Sequence, residues 1–400
     1  MMTKAGIATL LQRARWPRRA AVAMAAALTA IAGAALIAAP YAHADTPSNA
    51  PVAFEGSANT LWASGITNNT NTGLAMWPGT SPSVVYVGSN GTGWQMAFQG
   101  SNGDLWTTGV LGTADLGLGM MAGTSPSITN LGDSPSGRYE IAFQANTGQL
   151  WTTGSAGTKN WGLPMAPRTS PSIASQSGGN YEVAYQSNTT ELRTAGTAGA
   201  SGTGLGMQPG TSPSVIPYYI GSTPGYAIAF QANTGTLWTT GTIGTGNTGM
   251  AMNTASSPSL VGGYFGGYTI AFESNTNMLS TDESGTAGPS LGLPMRPGTS
   301  PSVFDSVILD PSGFGLDTAT EDIKFQGANG DLWDSYTTVD FNLTPSTSNS
   351  DSGIAMNSQS SPDNVLSPIR AISSYHVDPA MPGPRPFPAR LTAVSSPRAY

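Results

Sequence analysis

The sequence predicts an all-β fold, a seven-bladed β-propeller closed by a C-terminal strand, on the basis of three observations. One motif occurs seven times along the chain: an aromatic residue, a Leu seven positions later, and directly after that Leu a residue that is usually Trp, as in FQANTGQLW. The copies lie 44, 45, 42, 45, 42 and 53 residues apart, and a period near 45 is typical of propeller blades. Alternating segments bounded by Gly, Asn and Pro fill each period and indicate short strands. The seven pairs are Phe54 with Trp62, Phe98 with Trp106, Phe143 with Trp151, Tyr185 with Arg193, Phe230 with Trp238, Phe272 with Ser280 and Phe325 with Trp333.

Each repeat is expected to contribute four strands, A to D. In one copy these fall at 170–173, 181–186, 191–194 and 204–207. A Ser-Pro step precedes every strand A, and proline suits the first position of a strand because it cannot donate to the β-ladder. The step therefore predicts where the chain passes from the outside of one blade to the inside of the next. The prolines are Pro82, Pro126, Pro171, Pro213, Pro258, Pro301 and Pro362.

The B–C connection is expected to be a tight hairpin around the text ANTG. A register in which Gln144 and Gln149 flank the turn pairs Phe143 with Leu150 and the preceding Ala with Trp151. Directly opposed residues share one face of a sheet. This register therefore predicts Phe with Leu on one face and Trp over Ala on the other.

The phase of the repeats predicts how the ring closes. The first copy begins at strand B, near residues 52–54, whereas the last ends in an A-like segment at 361–365. The C-terminal strand should therefore complete the blade whose other strands come from the N-terminal side, which removes exposed sheet edges. The propeller is predicted to span residues 45–366. The aperiodic, Pro-rich stretch 367–400 is predicted to be a disordered or surface-bound tail.

Residues 1–44 are predicted to be a cleaved signal peptide, and the protein is therefore expected to be secreted. A basic segment precedes a charge-free, Ala-rich stretch at 20–39, and Ala42-His43-Ala44 then provides a cleavage signal. An uncleaved membrane anchor is the alternative, because about 20 residues suffice to span a bilayer. The pair Arg18-Arg19 is consistent with the twin-arginine export route.

Composition excludes several classes of function. Without residues 1–44 the chain keeps 10 Lys and Arg against 22 Asp and Glu, a net charge of −12 rather than −7. Such an acidic chain disfavours nucleic acid and anionic membranes as partners. There is no cysteine, and the only histidines are His43 and His376, so disulfides, the usual zinc ligands and His-activated nucleophiles are excluded. We expect a monomer with no cofactor, no metal and no catalytic residues.

One repeat is enlarged and acidic. Pro301 and Pro362 are 61 residues apart, and the extra residues fall near 305–322, between strands A and B, and near 334–353, between strands C and D. Both insertions should emerge on one face, so a protein partner at 305–353 is a candidate. Calcium binding is weighed against a solvated acidic surface, which is favoured because no EF-hand spacing is present. The acidic residues are Asp305, Asp310, Asp317, Glu321, Asp322, Asp331, Asp334 and Asp340.

Two repeated side chains are candidate ligand contacts. Aromatic rings can stack on the C–H faces of sugars, and amides can bond their hydroxyl groups. A structural role is the alternative for both: the Trp as blade core, and the Gln as a bond to a neighbouring hairpin. Glu55 and Glu273 occupy the Gln position in two copies, which favours one shared hydrogen-bonding role. The candidates are Trp62, Trp77, Trp106, Trp151, Trp238, Trp333, Gln99, Gln144, Gln186, Gln231 and Gln326.

The hairpin text in FQANTGQLWTTG and FQGSNGDLWTTG resembles the hairpins of tachylectin-2 and tectonin-type β-propeller lectins. The whole array also resembles secreted actinobacterial proteins built from FQANTG, LWTTG, GLGM and GTSPS repeats. The resemblance covers residues 52–366. It implies a propeller that binds sugars, because those lectins bind N-acetylhexosamines, O-methylated sugars or fucose.

The leading hypothesis is a secreted, multivalent carbohydrate-binding propeller without catalytic activity, whose partners are glycans or cell-surface polysaccharide. Repeated sites would supply avidity from weak single contacts. A protein-interaction scaffold that uses the enlarged blade is the first alternative. A glycosidase or sialidase-like enzyme is the second, and it would need two carboxylates in one cleft, for example two of Glu140, Glu182 and Glu273.

Overall fold

The computed structural model describes residues 52–64, 69–87, 93–132, 137–220, 223–262, 267–288, 291–309, 316–340 and 345–364. The predicted signal peptide and the predicted tail at 367–400 lie outside these residues. Within the described residues, no helix has the length and apolar content to cross a bilayer.

The chain forms seven antiparallel sheets of four strands each, which are the seven predicted blades. Chain order runs from the inner strand to the outer strand of each blade. Blade 1 contains β1 (Val52–Glu55), β2 (Thr60–Ser64) and β3 (Thr70–Ala75). Blade 2 contains β4 (Ser83–Tyr86), β5 (Trp94–Gln99), β6 (Asp104–Gly109) and β7 (Ala114–Gly119). Blade 3 contains β8 (Ser127–Asn130), β9 (Tyr139–Gln144), β10 (Gln149–Gly154) and β11 (Lys159–Pro164).

The remaining blades repeat this order. Blade 4 contains β12 (Ser172–Gln176), a 3-10 turn (Ser177–Gly179), β13 (Asn180–Gln186), β14 (Glu191–Gly196) and β15 (Gly199–Gly206). Blade 5 contains β16 (Ser214–Ile220), β17 (Thr223–Gln231), β18 (Thr236–Gly241) and β19 (Gly246–Ala251). Blade 6 contains β20 (Ser259–Gly262), β21 (Tyr268–Glu273), β22 (Leu279–Glu283) and β23 (Thr286–Ala287). Blade 7 contains β24 (Ser302–Leu309), β25 (Leu316–Gln326), β26 (Asp331–Asp340) and β27 (Pro345–Ala355).

The ring closes as predicted. The last strand, β28 (Asp363–Asn364), pairs antiparallel with β1 and becomes the inner strand of blade 1. The inner strand of each blade also contacts the inner strands of both neighbouring blades, so the seven form a continuous hub.

The predicted hairpin register is wrong by one residue. Phe143 pairs with Trp151, and Gln144 pairs with Leu150. The cause is the turn: the Gly148 amide donates to the Ala145 carbonyl, and Gly148 has a φ of +77°, which adds a bulged residue before the ladder resumes. The aromatic residue and its partner eight positions later therefore share one face of each blade, and the Phe143 and Trp151 ring centroids are 6.3 Å apart in blade 3.

This register determines how the blades pack. In blade 2 the face that bears Leu105 and Met120 meets the face of blade 3 that bears Ile141 and Phe143. Equivalent apolar layers join all seven neighbouring pairs, including blade 7 with blade 1. Both faces of every blade are buried against its neighbours. The apolar core is therefore fully buried only when the ring is closed.

Two rings of hydrogen bonds hold the hub. The serine before each proline accepts a bond from the equivalent backbone amide of the preceding blade, as Ser81 N donates to Ser125 Oγ at 2.8 Å. Seven such bonds return from Ser361 N to Ser81 Oγ and close the circle. The serine after each proline forms the second ring in the opposite sense, as Ile128 N donates to Ser83 Oγ at 3.2 Å. Asp363 takes that position at the closing strand and accepts from Val84 N at 2.8 Å.

The repeated Gln position also has a structural role. Gln144 is fully buried, and its Nε2 donates to the Ala166 carbonyl at 3.2 Å in the turn before the next blade. In blade 6 the Glu273 carboxylate accepts from Gly298 N at 3.0 Å and from Asn253 Nδ2 at 3.1 Å. The shared hydrogen-bonding role expected from the sequence is therefore present, in both its amide and its carboxylate form.

The insertions of blade 7 are extensions of its strands. Its four strands have 8, 11, 10 and 11 residues and continue the sheet beyond the length of the other blades. Inside this blade Lys324 lies buried between Asp322 and Asp334, with Nζ to carboxylate distances of 2.9 and 2.7 Å. The other blades have Ala at the position of Lys324.

Candidate ligand clefts between the blades

The repeated Trp side chains line clefts between neighbouring blades. Each is half-buried and faces the outer strand of the preceding blade. Trp106 and Leu74 pack against one buried cluster between blades 1 and 2, and Trp238 and Leu205 pack against the equivalent cluster between blades 4 and 5. Trp62, Trp151 and Trp333 occupy the equivalent place. We name each cleft by its two blades, so that Trp106 lies in cleft 1/2.

Cleft 6/7 contains a half-open cavity of about 270 Å³. Leu293 and Pro294 of blade 6 form one wall, and Trp333 and Asn329 of blade 7 form the other. An apolar cleft with a few polar groups at its margin is the usual construction of a small-molecule site.

Clefts 1/2 and 6/7 carry the same polar cluster. In cleft 1/2, Trp106 Nε1 donates to Asn102 Oδ1 at 3.0 Å, and Asn102 Nδ2 donates to Asp104 at 3.0 Å and to Asp115 at 2.8 Å. Asn329, Asp331, Trp333 and Asp351 repeat these contacts at 3.0, 2.9 and 2.8 Å. Two carboxylates therefore lie beside each of these indoles and can accept hydrogen bonds from a ligand.

Amides and hydroxyls replace the carboxylates in other clefts. In cleft 2/3, Asn160 Nδ2 donates to Gln149 Oε1 at 2.9 Å beside Trp151. In cleft 4/5, Trp238 Nε1 donates to Thr236 Oγ1 at 3.1 Å, and Asn247 pairs across from the indole. These clefts are uncharged at the positions where clefts 1/2 and 6/7 are acidic.

The residue after the Gln position sets the tilt of each indole. Gly100 lies so close to Trp106 that a Cβ would approach the ring to 2.4 Å, whereas blade 3 has Ala145 beside Trp151. The angle between the Phe and Trp rings is 21–34° in the three blades with Gly and 42–44° in the two with Ala. One methyl group therefore turns the indole that faces the cleft.

The other predicted ligand residues lie elsewhere. Trp77 is half-buried over the B–C hairpin of blade 2, where its ring would be 3.7 Å from a Cβ on Gly103. All five candidate glutamines are fully buried, namely Gln99, Gln144, Gln186, Gln231 and Gln326. The acidic clusters are functional candidates beyond those predicted from the sequence, and the repeated text N-G-D-L-W in blades 2 and 7 is the signal that marks them.

The three glutamates considered as an acid pair lie on three different blades. Glu140, Glu182 and Glu273 belong to blades 3, 4 and 6. Burial raises the pKa of Glu140 and of Glu273 to about 7, and backbone hydrogen bonds from Ala156 and Gly298 oppose the shift. Among the described residues, no three His, Cys, Asp or Glu side chains gather into a metal-binding group.

Comparisons with known proteins identify the fold. No family model and no curated protein matches the chain. Among solved structures, a lectin from Burkholderia pseudomallei superposes with a TM-score of 0.54 at 15% identity, covering 75% of this chain and 94% of the lectin. A fucose-recognising lectin of Aleuria aurantia, described as a six-bladed propeller, gives 0.45 at 12% identity, covering 69% and 96%. A dihydro-heme d1 dehydrogenase gives 0.38 at 10% identity, covering 82% and 77%. At 10–15% identity, these similarities concern the fold alone.

Proposed function

We propose that the protein is a multivalent, non-catalytic carbohydrate-binding propeller whose ligands occupy the clefts between blades. The observation that carries the proposal is the recurrence of one construction: a half-buried indole near the Leu or Ile of the outer strand of the preceding blade, with carboxylate, amide or hydroxyl groups beside it. Such a site offers an apolar face to a sugar ring and polar groups to its hydroxyls. A propeller of related architecture is a lectin in Burkholderia pseudomallei, which supports the proposal.

Multivalency follows from the ring. Five clefts contain the repeated Trp, so weak binding at each can add up to firm attachment to a polysaccharide. The fully buried glutamines are not part of this proposal, because their amides are bonded to backbone carbonyls inside the fold. The ligand contacts that we propose are the five repeated indoles and the polar groups next to them.

A glycan array and a sugar-affinity column test this proposal. We expect the wild-type protein to be retained on at least one glycan class, and the double variant Trp106→Ala and Trp333→Ala to lose retention at least tenfold. Val110→Ser, which changes an exposed apolar residue in a turn of blade 2, is the control and should be retained like the wild type. Failure of the wild type to bind any glycan or cell-wall polysaccharide would exclude the proposal, and release of reducing sugar would contradict its non-catalytic part.

A protein-docking role for blade 7 is the second candidate. Its outer strand β27 is eleven residues long, and residues 346–350 are exposed, uncharged Ser, Thr and Asn. An outer strand without Lys or Pro in its middle can accept a strand from a partner. The double variant Ser346→Lys and Ser348→Lys should abolish partner capture from culture medium without changing the melting temperature. Unchanged capture would exclude this edge.

We further propose that the protein is exported and cleaved after Ala44, from the signal-peptide pattern of residues 1–44. N-terminal sequencing of protein from culture medium should begin at Asp45.

A further inference from the structure

Cleft 3/4 differs from the other clefts on both of its walls. On the blade 4 wall, Arg193 stands where five blades have Trp, and Gly202 stands where other outer strands have Asn or Asp. On the blade 3 wall, Trp161 stands where other blades have Leu, Thr or Ser, and Lys159 lies two residues before it. In cleft 3/4 the indole therefore belongs to the preceding blade instead of the following one, and the cleft contains two positively charged side chains.

The residues next to Arg193 accommodate its guanidinium group. Its Nε lies 3.6 Å from Glu191 Oε2, while Glu191 Oε1 accepts from Gly204 N at 2.9 Å. A Cβ on Gly202 would lie 2.6 Å from Glu191 Oε1 and 3.2 Å from Arg193 Nη2. The Asn found at this position in blades 1, 3 and 5 would displace the Glu191 carboxylate and the guanidinium, so Gly202 provides the space that these two groups occupy.

The opposite wall is equally well defined. Lys159 Nζ lies 3.2 Å from the centroid of the Trp161 ring, a cation–π contact. Trp161 Nε1 donates to Thr152 Oγ1 at 3.2 Å, which fixes the orientation of the ring. Trp161 packs against the cluster that contains Tyr185, and Tyr185 is the cross-strand partner of Arg193. Both cations therefore face the same cleft.

We propose that cleft 3/4 binds a saccharide unit that carries a carboxylate, that is, a uronic acid. Arg193 offers a planar fork that matches a carboxylate, Lys159 adds a second positive charge, and Trp161 offers a face to the sugar ring. With Glu191 included, the cleft has a charge of +1. Clefts 1/2 and 6/7 each have two aspartates and repel such a ligand.

This inference rests on the proposed function, because it assigns a ligand class to one of the proposed sugar clefts. It makes the ring heterovalent: one cleft selects an anionic unit, and the clefts with aspartates or amides accept neutral units. A polysaccharide with both kinds of unit would then engage several clefts at once, whereas a purely neutral one would leave cleft 3/4 empty.

Titration calorimetry with two matched ligands tests the inference. Trigalacturonate and its full methyl ester share the same rings and differ in charge. We expect the wild-type chain to bind the acid at least tenfold more tightly than the ester. Arg193→Gln and Lys159→Gln should each weaken binding of the acid about fivefold or more and leave the ester unchanged. Arg296→Gln, which removes a positive charge from the turn before blade 7, is the matched control and should change neither.

The outcomes separate the two proposals. If neutral glycans are retained on the array but the two cleft variants bind trigalacturonate like the wild type, the inference is wrong and the lectin proposal stands. If no saccharide of either charge binds, the lectin proposal itself fails. Displacement of trigalacturonate by an equal concentration of acetate would show a bare anion site and overturn the inference. Thermal melts of all variants should match the wild type, which excludes unfolding as the cause of any loss.

Discussion

At the hub, the blades bind their neighbours through the same two side-chain positions, which are serine hydroxyls except for Asp363 at the closing strand. At the rim, in the outer clefts between the blades, several different sets of side chains are present by contrast. Ser125 and Ser83 illustrate the hub, where the bonds repeat at 2.8–3.2 Å around the ring. Clefts 6/7 and 3/4 illustrate the rim, where one presents two aspartates with Trp333 and the other presents Arg193 with Trp161. The repeated hydrogen bonds at the hub indicate a structural role. The varied cleft side chains at equivalent backbone positions indicate that the clefts select different ligands.

The contrast between a uniform interior and variable clefts has an exception in blade 7, where the buried Lys324 replaces the Ala of the other blades. Lys324→Ala should destabilise the fold by about 3–5 kcal/mol, because it leaves the buried Asp322 and the half-buried Asp334 without their cation. Denaturant titration measures the change. The triple variant with Asp322→Thr and Asp334→Thr as well, which approaches the sequence of blade 6, should recover most of the loss. A neutral effect of Lys324→Ala would show that the buried triad does not act as a unit.

A second buried position also varies, because Glu273 replaces the repeated Gln in blade 6, and it predicts that the free energy of unfolding depends on pH. Burial raises the pKa of Glu273 to about 7, from 4.5. The folded state thus holds this proton more tightly than the unfolded state, so the stabilisation is complete below about pH 4.5 and is lost as the pH rises to about 7. Glu273→Gln should remove on the order of 2–3 kcal/mol of this decline. Unfolding free energies at pH 5 and pH 8 test it, and an unchanged slope would contradict it.

The hub should respond in stability and leave binding unchanged. Ser212→Ala removes the acceptor of Ser170 N and should cost about 1–3 kcal/mol, because a buried amide is left without a partner. Ser201→Ala, an exposed serine of β15, is the control and should cost little. Chemical denaturation measures both variants. A loss of glycan retention by folded Ser212→Ala would break the distinction between hub and rim.

The smallest expected effect concerns the tilt of one indole at the rim. Gly327→Ala places a methyl group 2.4 Å from the present position of Trp333 Cδ1, so the ring must turn as it has in blades 3 and 5. The stability cost should be about 1 kcal/mol, because the ring is half-exposed and can move. Trp fluorescence and affinity at cleft 6/7 should change together. The reverse variant, Ala145→Gly, should change cleft 2/3 in the opposite direction.

Much of the fold is readable from the sequence because the period and its phase are explicit. The seven copies and the unmatched strand at 361–365 predict the blade count and the closure. The hairpin register was wrong because Gly148 inserts a bulged residue, and the extended strands of blade 7 were taken for insertions in the connections. In both cases a local backbone choice, rather than side-chain pattern, determines the outcome.

The clefts are less readable because each is made by two blades. The sequence identifies Trp333, but Leu293, which lies across cleft 6/7 from it, is forty residues earlier in the chain. The hairpin register that places the Trp in this cleft also differs from the predicted one. The glutamines illustrate the converse. Their repetition in the sequence is compatible with a ligand contact or with a structural hydrogen bond. Their side chains are fully buried, which favours the structural hydrogen bond.

The opposite senses of the two serine rings have a consequence for how such a chain can change its length. Each repeat gives one backbone amide forward and one backward, and it offers one hydroxyl acceptor in each direction. Any two serine-bearing repeats placed side by side therefore match, whatever their order. Gain or loss of a whole repeat leaves no orphaned donor at the new junction, so the number of clefts can grow or shrink by duplication while the junction chemistry stays constant.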